Sequence, residues 1–131
     1  MPYLMGGFPD MDTSRRIGEA YADGGADLME LGVPFSDPLA DGPIIQKSSF
    51  DVIEQGVDLP WTLDLLRRFR EVRDTPVLLF TYLNPILDFG VDRFFEVALA
   101  AGADGVLLTD VPLGADPKLE SRFEESPLDL V

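Results

Sequence analysis

The sequence predicts an α/β fold of the (β/α)8 TIM-barrel type, represented by about its first four to five βα units, and three observations carry the prediction. Short apolar runs alternate with helical patterns along the whole chain, the order expected of parallel strands joined by crossover helices. The chain also nearly repeats itself. Gly25-Ala26-Asp27 leads into an apolar run and Val33-Pro34, and Gly102-Ala103-Asp104 leads into another and Val111-Pro112. Polar residues gather just after the apolar runs, at the end where a barrel keeps its chemistry. An open doubly wound sheet is the alternative, although no G-x-G-x-x-G fingerprint follows the first strand.

Each element has a local cause. Tyr3-Leu4-Met5 followed by Gly6-Gly7 reads as the tail of a strand with no lead-in, as if the barrel began part-way. Asp12 or Thr13 can cap a helix that runs to about Asp23, with Ile17, Ala20 and Tyr21 inward and Gly24 as its stop. A strand over Leu28 to Leu31 comes next. Gly42-Pro43 then marks a helix start, because proline is favoured at the first helical position. Ile44, Ile45, Ser48, Val52 and Ile53 form its inward stripe. A third helix follows Asp58 or Pro60, with Leu65, Leu66, Phe69 and Val72 inward and Arg67, Arg68, Arg70 and Arg73 on and beside a solvated outer face. Pro76 to Phe80 is wholly apolar, as in a strand covered on both faces. A helix over Val91 to Ala101 buries Phe94, Phe95 and Ala98, Gly105 to Thr109 is another strand, and Leu128 to Val131 begins one more.

With 131 residues, the chain reads as one domain, a partial barrel over 1–131, large enough to bury a core. Ten Lys and Arg against 24 Asp and Glu leave a formal charge of −14, which argues against nucleic acid or an anionic membrane as partner. There is no cysteine and no histidine, so thiolate and imidazole chemistry are excluded and proton transfer falls to carboxylates, Tyr or Lys. No metal or other cofactor is expected. No apolar run approaches the roughly 18 residues of a membrane span, and the chain reads as cytoplasmic.

The most informative stretch is Leu28 to Pro43, LMELGVPFSDPLADGP. Glu30 sits inside an apolar run, where a carboxylate is costly without a partner or a task. The following loop carries Asp37 and Asp41 among prolines and glycines that suit a shaped loop. Glu30 and Asp41 are the candidate acid/base pair, facing one pocket. A carboxylic acid rising from an apolar strand keeps its proton more readily than one in a wet loop. Glu30 is therefore cast as proton donor and Asp41 as the ionised partner. The competing role for Asp41 is a helix N-cap before Pro43, and for Glu30 a structural ion pair.

The segments PYLMGGFPD, GGADLMELGVPFSDPLADGPIIQ, TPVLLFTYLNPIL and AGADGVLLTDVP resemble the alpha subunit of tryptophan synthase over most of residues 2–112. The resemblance implies a lyase of tryptophan biosynthesis that cleaves indole-3-glycerol phosphate into indole and glyceraldehyde 3-phosphate. It also implies a cytoplasmic heterotetramer (alpha2-beta2) with a beta subunit that uses pyridoxal phosphate to join indole to serine. By the same resemblance Glu30 is the catalytic acid/base and Asp41 the carboxylate that handles the indole nitrogen. Tyr3, Tyr82, Leu107 and Thr109 would line the substrate pocket, and Asp37 would lie in the loop that approaches the beta subunit.

A barrel of this class binds phosphate with the loops after its seventh and eighth strands, whereas this chain reaches about its fifth. No basic cradle is expected on the active-face loops, so the isolated chain is expected to have little or no turnover. The alternative role is a non-catalytic module that docks on a beta subunit.

Overall fold

Five short strands run parallel in one sheet whose spatial order repeats their order in the chain: β1 (Tyr3–Met5), β2 (Met29–Gly32), β3 (Val77–Thr81), β4 (Gly105–Leu108) and β5 (Asp129–Leu130). The computed structural model describes residues 1–112 and 114–131. A doubly wound sheet reverses its strand order at a switch point; here the order never reverses, which favours the barrel over its alternative. Among the described residues β1 and β5 each pair on one side only, so the sheet is an arc of a barrel.

The register places Tyr3 opposite Glu30, Glu30 opposite Leu78, and Leu78 opposite Gly105. Because side chains alternate across a strand, Leu31, Leu79 and Val106 share one face and pack into the main core. Of the helices α1 (Met11–Asp23), α2 (Pro43–Ile53), α3 (Leu59–Arg70), α4 (Leu83–Phe89), α5 (Val91–Ala101) and α6 (Pro117–Glu124), α2 sets Ile45 and Val52 against Tyr3 and Met5, and the other five cover that face. Leu63, Leu66 and Phe69 of α3 and Phe94, Phe95 and Ala98 of α5 supply most of its apolar lining. The other face carries Tyr3, Glu30, Phe80 and Leu107, all half-buried.

The repeat noticed in the sequence has a structural counterpart. Gly25 and Gly102 both take left-handed backbone, at φ +86° and +89°. The next residue in each case bonds back to the helix, Ala26 N–H to the Tyr21 carbonyl and Ala103 N–H to the Ala98 carbonyl. This is a Schellman-type exit, which only glycine enters without strain. It turns each helix directly into the strand that follows.

Several local expectations are corrected. α1 is capped by Asp10, not Asp12 or Thr13: Asp10 has extended backbone just before the helix, and its carboxylate accepts from the Thr13 N–H at 2.9 Å. Ser14 and Gly18 form its buried stripe and Ala20 is exposed, since small residues four apart let the helix lie close to Leu4 and Phe69. In α2 the buried residues are Ser49 and Val52; Ile44 is 85 % exposed and Ser48 only half-buried. Val72 lies past the end of α3 and is half exposed. α4 had no counterpart in the sequence reading, because Asn84-Pro85 reads as a loop. Pro85 falls in the first turn, where its missing N–H costs nothing.

The arginine cluster faces outward, as expected, and is paired. Arg67 and Arg68 meet Asp64, Arg67 also meets Glu71, and Arg73 meets Asp23. Arg70 is different: it bonds the Gly102 and Thr75 carbonyls at 2.8 and 2.9 Å and pairs with Asp104, tying the end of α3 to the starts of β3 and β4. Among the described residues no helix is long and apolar enough to cross a membrane.

Candidate active site

On β2, Met29 and Leu31 point into the helix-covered core, so Glu30 between them faces the opposite, concave side. Tyr3 stands opposite it across the β1–β2 pair. The Tyr3 ring meets the edge of Phe80 on β3, with centroids 5.5 Å apart and planes at 83°. A side chain on Gly32 would collide with the Tyr3 hydroxyl, and glycine there lets the ring lie across β2. Leu107 on β4 stands opposite Phe80 and continues the apolar wall.

Asp41 arrives by the loop after β2, which is anchored at both ends. The Phe35 amide donates to Ser49 Oγ at 2.9 Å, and that hydroxyl donates back to the Phe35 carbonyl at 3.0 Å. At the far end the Ala40 amide donates to the Tyr82 hydroxyl at 2.9 Å, and Gln46 Nε2 donates to the Asp41 carbonyl at 2.7 Å. The N-cap of α2 is Gly42, without a side-chain hydrogen bond. The Asp41 carboxylate is therefore not used as a cap.

The electrostatics of this corner correct one expectation. Burial pushes the Asp41 carboxyl above its ordinary value, opposed by the Tyr82 hydroxyl beside it. Asp41 is half-buried, with buried Pro38 in the same loop, and does not sit in the wet environment that would keep it readily ionised. The Tyr3 phenol is pushed well above its usual range by burial first, then by the negative charges of Asp41 and Glu30. One hydroxyl is thus close enough to feel both carboxylates, which brings Glu30 and Asp41 to the same side of the sheet. Tyr82 is also pushed up, chiefly by burial, with the Ala40 N–H opposing.

The remaining sequence-predicted residues divide. Thr109, just past β4, is half-buried and bonds the Thr81 carbonyl through its amide at 3.2 Å and its hydroxyl at 3.4 Å. Tyr82 is 3 % exposed and packs its ring 5.3 Å from Phe35. Asp37 is exposed and accepts from Ser36 Oγ at 2.9 Å, away from the Tyr3–Glu30 cluster. The expectation that no basic residue sits near the active-face loops needs correction: Arg93, stacked 4.5 Å over Phe89, lines a cleft of about 480 Å³ with Pro34, Phe35 and Ser36. Lys47 lines another with Tyr3. Sequence reading missed Gly32, Gln46 and Ser49. Nothing in the local pattern distinguished Ser49 from its neighbour Ser48, and a glycine needed for a neighbour's ring has no signature of its own. Among the described residues no group of three or more His, Cys, Asp or Glu could hold a metal ion.

Two carboxylates on one side of an aromatic-walled concave face can give and take protons around a flat, apolar substrate. Fold and site together define a (β/α)-barrel protein with a carboxylate pair on its inner face. The family model described as tryptophan synthase alpha chain matches residues 1–131. The tryptophan synthase alpha chain of Desulfatibacillum aliphaticivorans is 44 % identical over 129 residues, covering 98 % of this chain and 49 % of that one. That of Solibacter usitatus is 45 % identical, covering 98 % and 48 %. The crystal structure of tryptophan synthase subunit alpha from Legionella pneumophila superposes with a TM-score of 0.94 at 35 % identity, over 98 % of this chain and 50 % of that one. The chain belongs to the tryptophan synthase alpha chain family, and it spans about half the length of the curated relatives it matches.

Proposed function

We propose that residues 1–131 form a partial barrel domain carrying the acid/base half of a lyase site, one that cleaves indole-3-glycerol phosphate into indole and glyceraldehyde 3-phosphate. The observation that carries this reading is Glu30 opposite Tyr3 on the face lined by Phe80 and Leu107, with Asp41 on the loop that leaves the same strand and is clamped by Tyr82. The reaction is a retro-aldol cleavage. Glu30 protonates C3 of the indole ring, because a neutral aromatic carbon is a poor leaving group. Positive charge then develops on the indole nitrogen, where Asp41 stabilises it and takes the N–H proton. Glu30, now a carboxylate, collects the proton of the side-chain hydroxyl as that carbon becomes the aldehyde. The electron pair of the broken carbon–carbon bond flows into the ring, and Asp41 returns its proton to the nitrogen to give neutral indole. Tyr3, Leu107 and Thr109 surround the ring, and Tyr82, the fourth residue expected there, stands behind the loop that carries Asp41. No cofactor is needed for these steps.

The five strands described here stop short of the positions at which barrels of this class hold phosphate. The 131-residue chain alone is therefore expected to release indole slowly or not at all. Mixing it with a polypeptide carrying the remaining strands of a relative should restore turnover. In that mixture Glu30→Gln should lower the rate by about 10²–10⁴-fold, the usual contribution of general acid/base catalysis. Turnover by the isolated chain near that of a full-length relative, or a restored rate indifferent to Glu30→Gln and Asp41→Asn, would overturn the reading.

A second reading is favoured by the cleft beside the Asp37 loop, which lies outside the carboxylate cluster and is lined by Pro85, Asp88 and Phe89. In it the chain is a module that docks on a tryptophan synthase beta subunit in a cytoplasmic alpha2-beta2 assembly, with Asp37 at the contact. Stimulation of the beta subunit's serine chemistry without indole-3-glycerol phosphate cleavage would favour the module over the lyase.

A further inference from the structure

The Ala40–Asp41 corner is attached to the barrel by two side chains that move no proton in the steps above. Tyr82 directly follows β3, and its hydroxyl receives the Ala40 amide 42 residues earlier in the chain. Its ring is held by Phe35 and is almost wholly buried. Gln46, in the first turns of α2, donates to the Asp41 carbonyl at 2.7 Å and reaches the Pro38 carbonyl at 3.5 Å. The backbone bonds inside the corner, Leu39 N–H to Asp37 and Asp41 N–H to Pro38, are local and tie nothing to the sheet. A carboxylate turned toward an apolar wall loses hydration and is driven back toward water unless the backbone beneath it is held.

We propose that Tyr82 is a positioning residue, its hydroxyl committed to the loop instead of the substrate, and that with Gln46 it holds Asp41 over the face carrying Glu30. This rests on the reading of Asp41 as a working carboxylate. The anchor at the other end of the loop, Ser49 on Phe35, is a natural control because it touches neither Ala40 nor Asp41. Burial and the Tyr82 hydroxyl act on the Asp41 carboxyl in opposite directions, so removing the hydroxyl leaves burial unopposed.

The test is made by NMR on the 131-residue chain and reads no catalysis. In Tyr82→Phe, exchange of the Ala40 amide should rise roughly five- to tenfold, the consequence of losing one hydrogen bond. The Asp41 carboxyl titration, followed through its carbon-13 shift, should move to higher pH. Ser49→Ala should leave that titration in place. A folded Tyr82→Phe variant with unchanged Ala40 exchange and unchanged Asp41 titration overturns the proposal, as does a Ser49→Ala variant that moves Asp41 equally. Should Tyr82→Phe not fold, the unmodified chain decides: an Ala40 amide exchanging as fast as that of exposed Asp37 overturns it, and slow exchange supports it. Failure of the lyase reading would show instead as indole release indifferent to Glu30→Gln, with these loop measurements unaffected.

Discussion

The hydroxyl of Tyr3 lies over Gly32, in space that any β-carbon at position 32 would enter. The two residues sit on adjacent strands, Tyr3 opposite Glu30 and Gly32 opposite Met5. The glycine therefore sets where the aromatic wall stands relative to the glutamate. Gly32→Ala should force the Tyr3 ring off Phe80 and cost about 1–3 kcal/mol, the usual penalty for overpacking. Urea denaturation checks the cost. Tyr3→Ala in the same background should recover part of it, because the colliding atoms are then gone.

Arg70 should matter more than its neighbours on α3. It satisfies two backbone carbonyls and pairs with Asp104, whose carboxylate also accepts the Val77 amide at 2.7 Å. Arg70→Ala removes bonds shared by three elements and should cost about 1–3 kcal/mol. Arg67 pairs only with exposed Asp64 and Glu71. Arg67→Ala should stay within about 1 kcal/mol of the parent, as exposed ion pairs do. Equal effects of the two substitutions on the denaturation midpoint would contradict this assignment.

The contrast between those arginines shows what could be read from sequence. Outward placement follows from helical period, and it held for Arg67 and Arg68. The partner of Arg70 depends on how α3 meets the β4 turn, which no local pattern encodes. Strand positions were readable for a similar reason: four- or five-residue apolar runs between glycine exits admit few alternatives. The inward stripe of α2 was not, because its helix turns Ser49 onto the Phe35 backbone and Val52 onto Met5 and leaves Ile44 to solvent. In the candidate site, Glu30 stood out as a charge inside an apolar strand. The clamps that bring Asp41 to the same side come from elements up to 42 residues away in the chain, and only the fold reveals them.

Helix capping gives a smaller and independent test. The Asp58 carboxylate accepts from the Trp61 amide at 2.9 Å at the start of α3. Asp58→Ala should cost about 1 kcal/mol. Asp12, one residue inside α1, makes only an exposed pair with Arg15 at 3.3 Å, and its removal should cost less. Thermal melts of the two variants side by side separate the roles.

Asp41 should lower the stability of the chain at neutral pH. Its carboxyl is pushed up by burial in the folded state, so the native chain holds that proton more tightly than the unfolded chain. A group raised in this way contributes stability that is fully present below its unfolded value, about 3.9 for Asp. That contribution is lost as pH rises through the folded value, because the unfolded state then binds fewer protons. Asp41→Asn keeps the shape, removes the ionisation, and should raise the denaturation midpoint at pH 7. The advantage should shrink as pH is lowered and vanish below about pH 3.5, where both states of the parent are protonated. A variant less stable than the parent at pH 7 would mean that Asp41 is held in place by attractions stronger than its desolvation. A structural rather than a proton-handling role would then follow. A stabilised variant is the outcome expected of a carboxylate kept half-buried for its chemistry at the expense of the fold.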